Sequence, residues 1–169
     1  MFKEGNLLKF SPFIFKNGAC PKNKFFVVLK EAENAMILAS LPTSKDHVPA
    51  DMQLKEGCME IPDRQINIYI FLAKQNIAIH PDTQLPFSFN LNTFIYGADI
   101  DSYPVTVFQE QIENGETKVE LMGRLTEEQF SALKDCLKGS KMTKRLSVPK
   151  RSQSAVRGIP AIRRLPVIP

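Results

Sequence analysis

The chain has 169 residues, of which 43% are hydrophobic and 24% charged, and this suits one globular domain with a sizeable core. Its formal net charge of +4 is uneven, because nine of the 22 basic residues lie in residues 138–169, which hold no acidic residue, while the other 13 are outnumbered by 18 acidic residues. No apolar stretch approaches the roughly 20 residues of a membrane-spanning helix, and the N-terminus lacks the pattern of a secretory signal, so we expect a cytoplasmic protein without a transmembrane segment.

Short apolar and alternating segments predict a series of strands separated by turns. Residues 25–29 and 35–41 are apolar runs joined by a polar turn, and their short length and their β-forming, partly aromatic content favour buried strands over a helix. Further strands are predicted at residues 6–15, 58–61, 66–74, 77–80 and 87–96. Residues 105–112 and 117–122 are predicted to form a hairpin, because Asn114-Gly115 suits a type I′ turn.

One helix is predicted, over residues 126–138. Thr126 and Gln129 match a capping box, and Phe130, Leu133 and Leu137 recur on one face of the helix. Several short strands followed by one amphipathic helix predict a mainly β domain over residues 1–139, a small β-barrel with a C-terminal α-helix packed against it.

The remaining chain, residues 140–169, is predicted to be a disordered basic tail. Ser, Pro, Arg and Lys dominate it, and its isolated aliphatic residues show no period. A basic tail of this kind can contact polyanions such as nucleic acid, acidic protein or a membrane surface. A solvated tail without a specific partner is an equally good interpretation.

The cysteines and glycines predict no cofactor and no metal. Cys20, Cys58 and Cys136 are scattered, with no CxxC and no histidine at ligand spacing, so we expect three reduced thiols and neither a zinc site nor a disulfide framework. The chain also lacks a glycine-rich phosphate loop, because its glycines are isolated.

The densest group of reactive side chains follows the second apolar run directly. Pro42 ends that run, and Thr43, Ser44, Lys45, Asp46 and His47 come next. Functional groups are often presented where a chain leaves a rigid strand, so this segment is the candidate site.

Several segments together resemble one family. They are Gly5-Asn6-Leu7-Leu8, Lys22-Asn23-Lys24, Phe26-Val27-Val28-Leu29, Ile37-Leu38-Ala39-Ser40-Leu41-Pro42-Thr43-Ser44 and the final GRLTEEQFSALKDCLK. In this order they resemble the MazF/PemK family of plasmid toxins, mainly over residues 5–45 and 123–138. The resemblance implies an SH3-like β-barrel that forms a dimer and belongs to a toxin-antitoxin system. It also implies a metal-independent endoribonuclease that acts on single-stranded RNA and is restrained by an antitoxin peptide.

The resemblance assigns roles to particular side chains, with departures. Lys24 stands where the family has its loop arginine, Phe25 where it has the following proline, and Thr43 where it has its catalytic threonine. Lys24 would then supply positive charge to the phosphorane, although as a point donor and not as a bidentate fork.

The neighbouring side chains complete this catalytic hypothesis. Thr43 or Ser44 would hydrogen-bond a phosphoryl oxygen, and His47 would act as the acid or base. Lys22 and Lys45 are the predicted RNA-binding residues.

Each of these side chains also has a structural interpretation. Lys24 suits a solvated lysine at a strand start, Thr43 and Ser44 suit a turn or helix cap, and His47 suits a surface turn. The alternative function is therefore a non-catalytic SH3-like barrel that binds protein or nucleic acid.

Overall fold

The computed structural model describes residues 1–32, 36–40, 42–45, 48, 50 and 52–139. Its strands are β1 (Asn6–Phe13), β2 (Lys22–Ala32), β3 (Met36–Ser40), β4 (Gly57–Ile61), β5 (Ile66–Phe71), β6 (Ala78–Ile79), β7 (Pro86–Phe87), β8 (Thr93–Tyr96), β9 (Asp101–Pro104) and β10 (Lys118–Leu125). Helix α1 (Val105–Glu113) lies between β9 and β10, and helix α2 (Glu127–Gly139) follows β10. The predicted tail and His47 lie outside the residues that the structure describes.

The strands pair in two antiparallel sheets, which confirms the predicted mainly β fold. The larger sheet has the order β7-β6-β10-β1-β2-β3-β9, and the smaller has the order β4-β5-β8. Thr43 and Phe94 form a bridge between the chain that leaves β3 and strand β8, with backbone N–H···O distances of 3.0 and 2.8 Å. Because β4, β5 and β8 pair as a separate sheet, the described pairings do not close into the predicted barrel.

The central strands are buried on both faces, and this explains their apolar runs. In β1, Leu7 packs into one core cluster and Leu8 into another, on opposite faces of the sheet. In β2, Val27 joins the cluster of Leu7, while Phe26 joins that of Leu8. A strand with two buried faces gains from apolar residues at every position, so no alternation is needed.

The predicted hairpin is wrong, because helix α1 occupies the place of its first strand. A type I′ turn needs positive φ at both central residues, but Asn114 has φ −77° and only Gly115 has positive φ, at 72°. The N–H groups of Gly115 and Glu116 instead donate to carbonyls of the last helical turn, at 3.1 and 2.9 Å. This pair of bonds is a Schellman motif, so the Asn-Gly pair ends a helix here. The helix buries Phe108 against the aromatic rings of Phe10 and Phe26.

Helix α2 forms close to where the sequence predicts it, one residue later at its start. The Gln129 N–H donates to the Thr126 hydroxyl oxygen at 3.3 Å, which is one half of the predicted capping box. The other half is replaced, because the Gln129 side chain accepts from the Tyr69 hydroxyl at 2.9 Å and donates to Glu56 at 2.7 Å. The capping-box motif assigns the Gln129 side chain to the helix N-terminus. In the structure this side chain fastens the helix to β5 instead.

Two of the three expected free thiols form a disulfide, so that expectation is wrong for Cys58 and Cys136. Cys58 lies in β4 and Cys136 in α2, with their Cα atoms 5.4 Å apart and a separation of 78 positions along the chain. Cys20 is free and exposed. The bond fastens α2 to the smaller sheet.

No helix in the described part of the chain is long and apolar enough to cross a membrane.

Ser40, at the end of β3, provides a test of the packing. It is 1% exposed, and its hydroxyl has no hydrogen-bond partner among the described residues. An unpaired buried hydroxyl costs about 1–3 kcal/mol, so we expect Ser40→Ala to raise the free energy of unfolding by about 1 kcal/mol. Urea denaturation measures this change, with Ser44→Ala at an exposed position as the control that leaves stability unchanged. A lower free energy of unfolding in Ser40→Ala would contradict the interpretation that the Ser40 hydroxyl is buried without a partner.

Candidate functional site

Two adjoining clefts lie where β2 begins and the chain leaves β3. The first has a volume of 430 Å³ and is called the aromatic cleft here, because Phe25, Phe87 and Phe89 line it. The second has a volume of 710 Å³ and is called the tyrosine cleft, because Tyr96 and Tyr103 line it. Both volumes are within the range of small-molecule and cofactor sites.

Four residues line both clefts and therefore form the wall between them. They are Lys22, Lys24, Thr43 and Lys45, called the lysine ridge from here on. Three ammonium groups on one wall make this a place that attracts anions.

The antiparallel pairing of β2 with β3 brings the chain of Lys24 near that of Thr43. The last pair of this ladder is Val27 with Ser40. Lys24 and Thr43 each lie three residues beyond that pair along the chain, and both line the two clefts. The bridge to Phe94 then fixes the Thr43 backbone against β8.

The Thr43 side chain is held in a local turn. Its hydroxyl oxygen accepts a hydrogen bond from the Lys45 N–H at 3.1 Å. The hydroxyl proton is not used in that bond and can be donated to a ligand. The Lys45 carbonyl accepts from the Tyr96 hydroxyl at 3.1 Å, which fastens this turn to the end of β8.

Lys24 differs electrostatically from an ordinary surface lysine. Burial lowers the pKa of its ammonium group, the charges of Lys22 and Lys45 lower the pKa further, and Asp99 opposes the change. The repulsion between these three ammonium groups would be relieved by a bound anion.

The tyrosine cleft has a fixed aromatic wall. Burial, with smaller contributions from Asp101 and Asp99, raises the pKa of Tyr103 to about 12, so its hydroxyl is protonated at neutral pH. Lys16 lies 4.0 Å from the centre of the Tyr103 ring and 2.9 Å from a carboxylate oxygen of Asp101. Tyr103 therefore contributes a protonated, largely buried aromatic side chain to the wall of this cleft.

The structure brings most of the predicted site residues together. Lys22, Lys24, Thr43, Ser44 and Lys45 all line the aromatic cleft. The position of His47 is not described, and the catalytic and RNA-binding roles of all six stay predictions. The second histidine, His80, is structural, because its Nδ1 accepts from the N–H groups of Asp82 and Thr83.

Sequence reasoning missed the opposite wall of the aromatic cleft. Residues 87–96 were predicted as one strand, but they form two short strands, β7 and β8, with an intervening segment that carries Phe89, Asn90 and Leu91 into the cleft. The alternation of apolar and polar residues in this segment was the available signal. This alternation shows that the segment has an apolar and a polar face, but it does not show which cleft either face lines.

In the described part of the chain, no group of three or more His, Cys, Asp or Glu side chains is placed to hold a metal ion. Comparisons with protein-family models, with curated proteins and with solved structures found no match. The features that bear on function are thus those of the clefts, in a mainly β protein with a basic ridge between two aromatic surfaces.

Proposed function

We propose that the protein is a metal-independent endoribonuclease of the MazF/PemK kind that acts on single-stranded RNA. The observation that supports this best is the lysine ridge, where Lys22, Lys24 and Lys45 share with Thr43 the wall between two aromatic clefts. Phosphate binds ammonium groups, and unstacked bases bind aromatic surfaces, so this arrangement suits a single strand. The family's SH3-like barrel, homodimer and antitoxin peptide belong to the same proposal.

The proposed reaction needs only groups of the RNA and of the protein. The 2′-hydroxyl oxygen attacks the adjacent phosphorus and loses its proton to a base, while the bond to the 5′-oxygen breaks and that oxygen takes up a proton. The products are a 2′,3′-cyclic phosphate and a 5′-hydroxyl.

Lys24 and Thr43 have complementary parts in this reaction. The Lys24 ammonium stabilises the negative charge that builds up on the phosphorane, and the Thr43 hydroxyl donates to a non-bridging oxygen. Ser44, the next residue of the aromatic cleft along the chain, carries a second hydroxyl that could donate in the same way, and His47 is the proposed acid or base.

Thr43 offers a matched test, because Thr83 forms the same turn elsewhere. Thr43 accepts from the Lys45 N–H at 3.1 Å and Thr83 from the Leu85 N–H at 3.4 Å, but Thr83 is exposed and does not line either cleft. We expect expression of the wild type to arrest bacterial growth, Thr43→Ala to relieve the arrest and Thr83→Ala to leave it in place. Cleavage of a mixed single-stranded RNA in the presence of a chelator should fall about 100- to 1,000-fold in Thr43→Ala, as for the loss of one oxyanion donor. Absence of toxicity and cleavage in the wild type would reject the proposal.

A second candidate function is a non-catalytic barrel that binds nucleic acid or protein through the same ridge. The lysine in place of the family's arginine favours it, because an ammonium group cannot make the bidentate contact of a guanidinium. It predicts RNA binding without cleavage, and a phenotype that Lys24→Ala does not change.

A further inference from the structure

The aromatic cleft combines a rigid apolar surface with an anion-binding edge. Phe25, Phe87 and Phe89 contact one another edge to face, with ring centroids 5.0 to 5.6 Å apart. Phe89 is buried, whereas Phe25 and Phe87 are half-buried and line the cleft. Leu91, at the same cleft, is 64% exposed. Exposed apolar surface of this kind favours a planar apolar ligand.

Polar side chains lie among these rings. Ser88 and Asn90 alternate with the aromatic residues and line the same cleft. A serine hydroxyl and an asparagine amide each both donate and accept hydrogen bonds, so together they match the polar edge of a heterocycle. The cleft volume of 430 Å³ is large enough for one nucleoside.

We propose that the aromatic cleft binds one unstacked base of a single-stranded RNA whose adjoining phosphate lies on the lysine ridge. This inference rests on the proposed function and adds a base-binding site to it. The ligand must be planar and apolar at one end and anionic at the other, because Phe25 and Phe87 face the same cleft as Lys22, Lys24 and Lys45. Stacking on an aromatic side chain contributes about 1–3 kcal/mol per base, on top of the phosphate contacts.

The test compares RNA with a strand of equal charge that lacks bases. The full chain is titrated with fluorescent 2′-O-methyl oligonucleotides, which cannot be cleaved, and with an abasic sugar-phosphate strand of the same length. We expect the wild type to bind the base-bearing strand at least about 10-fold more tightly than the abasic strand, in line with one stacked base. We expect Phe87→Leu and Leu91→Ser to lower this ratio towards one without changing the affinity for the abasic strand.

Two further variants separate the base from the phosphate. Leu85→Ser is the control for Leu91→Ser, since Leu85 is 65% exposed and does not line either cleft, and it should leave the ratio unchanged. Lys22→Ala should weaken binding of both strands by the same factor, because it removes a phosphate contact. Leu91 is exposed, so Leu91→Ser remains informative even where Phe87→Leu fails to fold.

The outcomes distinguish this inference from the function on which it rests. The base site is overturned if the wild type binds the base-bearing and the abasic strand equally. It is also overturned if Phe87→Leu and Leu91→Ser leave the ratio of the two affinities unchanged. In both cases RNA binding itself stands. A wild type that binds neither strand would overturn both. Displacement of the RNA by an acidic peptide, together with a ratio of one, would identify the aromatic cleft as a protein-binding site.

Discussion

Reduction of the Cys58–Cys136 disulfide is expected to lower the free energy of unfolding by about 4–5 kcal/mol, as the chain-entropy model gives for a closed loop of this size. The bond joins residues 78 positions apart in the chain, so it removes many conformations from the unfolded state. It also fastens α2 to β4, and the neighbouring Leu133 and Leu137 are buried in the same core cluster as Cys136. Loss of the bond therefore leaves α2 held by these apolar side chains and by contacts such as the Tyr69–Gln129 hydrogen bond.

Thermal and urea unfolding with and without a reductant measure this effect. We expect the midpoint of thermal unfolding to fall by roughly 15 °C in the reductant. The variant with both Cys58→Ser and Cys136→Ser should show the same fall and no further response to the reductant. Cys20→Ser is the matched control, because Cys20 is exposed and unbonded, and it should behave as the wild type. Identical curves with and without reductant would show that the bond does not stabilise the fold.

The disulfide shows what a single sequence does not reveal. A cysteine pair 78 residues apart has no spacing motif, since it depends on how α2 packs against β4. The helix itself was predictable, because its apolar stripe and the Thr126 cap are local features. The pairing of the two cysteines is a property of the tertiary structure.

Helix α1 shows a second limit, where a local signal has two interpretations. Asn114-Gly115 is as good an end for a helix as it is a turn for a hairpin, because both use Gly115 at positive φ. What decides between them is Phe108, which is 3% exposed and packs into the aromatic cluster beside Tyr103. That cluster is assembled from β1, β2, β9 and α1, so the periodicity of residues 105–112 alone could not reveal it.

Part of the candidate site could be predicted from the sequence, because β2 and β3 are consecutive strands that pair with each other. Two consecutive apolar strands form an antiparallel pair, and such a pair brings the start of the first strand to the end of the second. Lys24 lies two residues after the start of β2, and Thr43 lies three residues after the end of β3. The wall of Phe87, Phe89 and Leu91 comes from a segment more than forty residues later, and no local pattern places it beside Lys24.

Replacement of Lys24 by methionine is expected to have opposite effects on function and on stability. Under the proposed function it removes the positive charge on the phosphorane, and loss of one such group costs about 100- to 1,000-fold in cleavage rate. The same change should raise the free energy of unfolding at neutral pH, because burial and the charges of Lys22 and Lys45 disfavour the Lys24 ammonium in the folded protein.

The pH dependence of this stability gain has a definite sign. The pKa of Lys24 is lower in the folded protein than its ordinary value of 10.5, so the unfolded chain binds the proton more tightly. The full penalty is present below the folded pKa, and it disappears as pH rises towards the unfolded value. The advantage of Lys24→Met over the wild type should therefore be constant near neutral pH and vanish in strongly alkaline solution.

Urea denaturation across pH and a cleavage assay on the same variants test both effects of Lys24. Lys30→Met is the matched control, because Lys30 is an exposed lysine of β2 that does not line either cleft, and it should change neither quantity. Lys24→Arg should retain cleavage, since a guanidinium keeps the charge and adds the bidentate contact of the family's arginine. Loss of cleavage in Lys24→Arg and Lys24→Met alike, with equal destabilisation, would mean that Lys24 supports the fold and not the reaction. Such a result would remove Lys24 from the proposed reaction. If Lys22 and Lys45 then still bind RNA, the non-catalytic function is favoured.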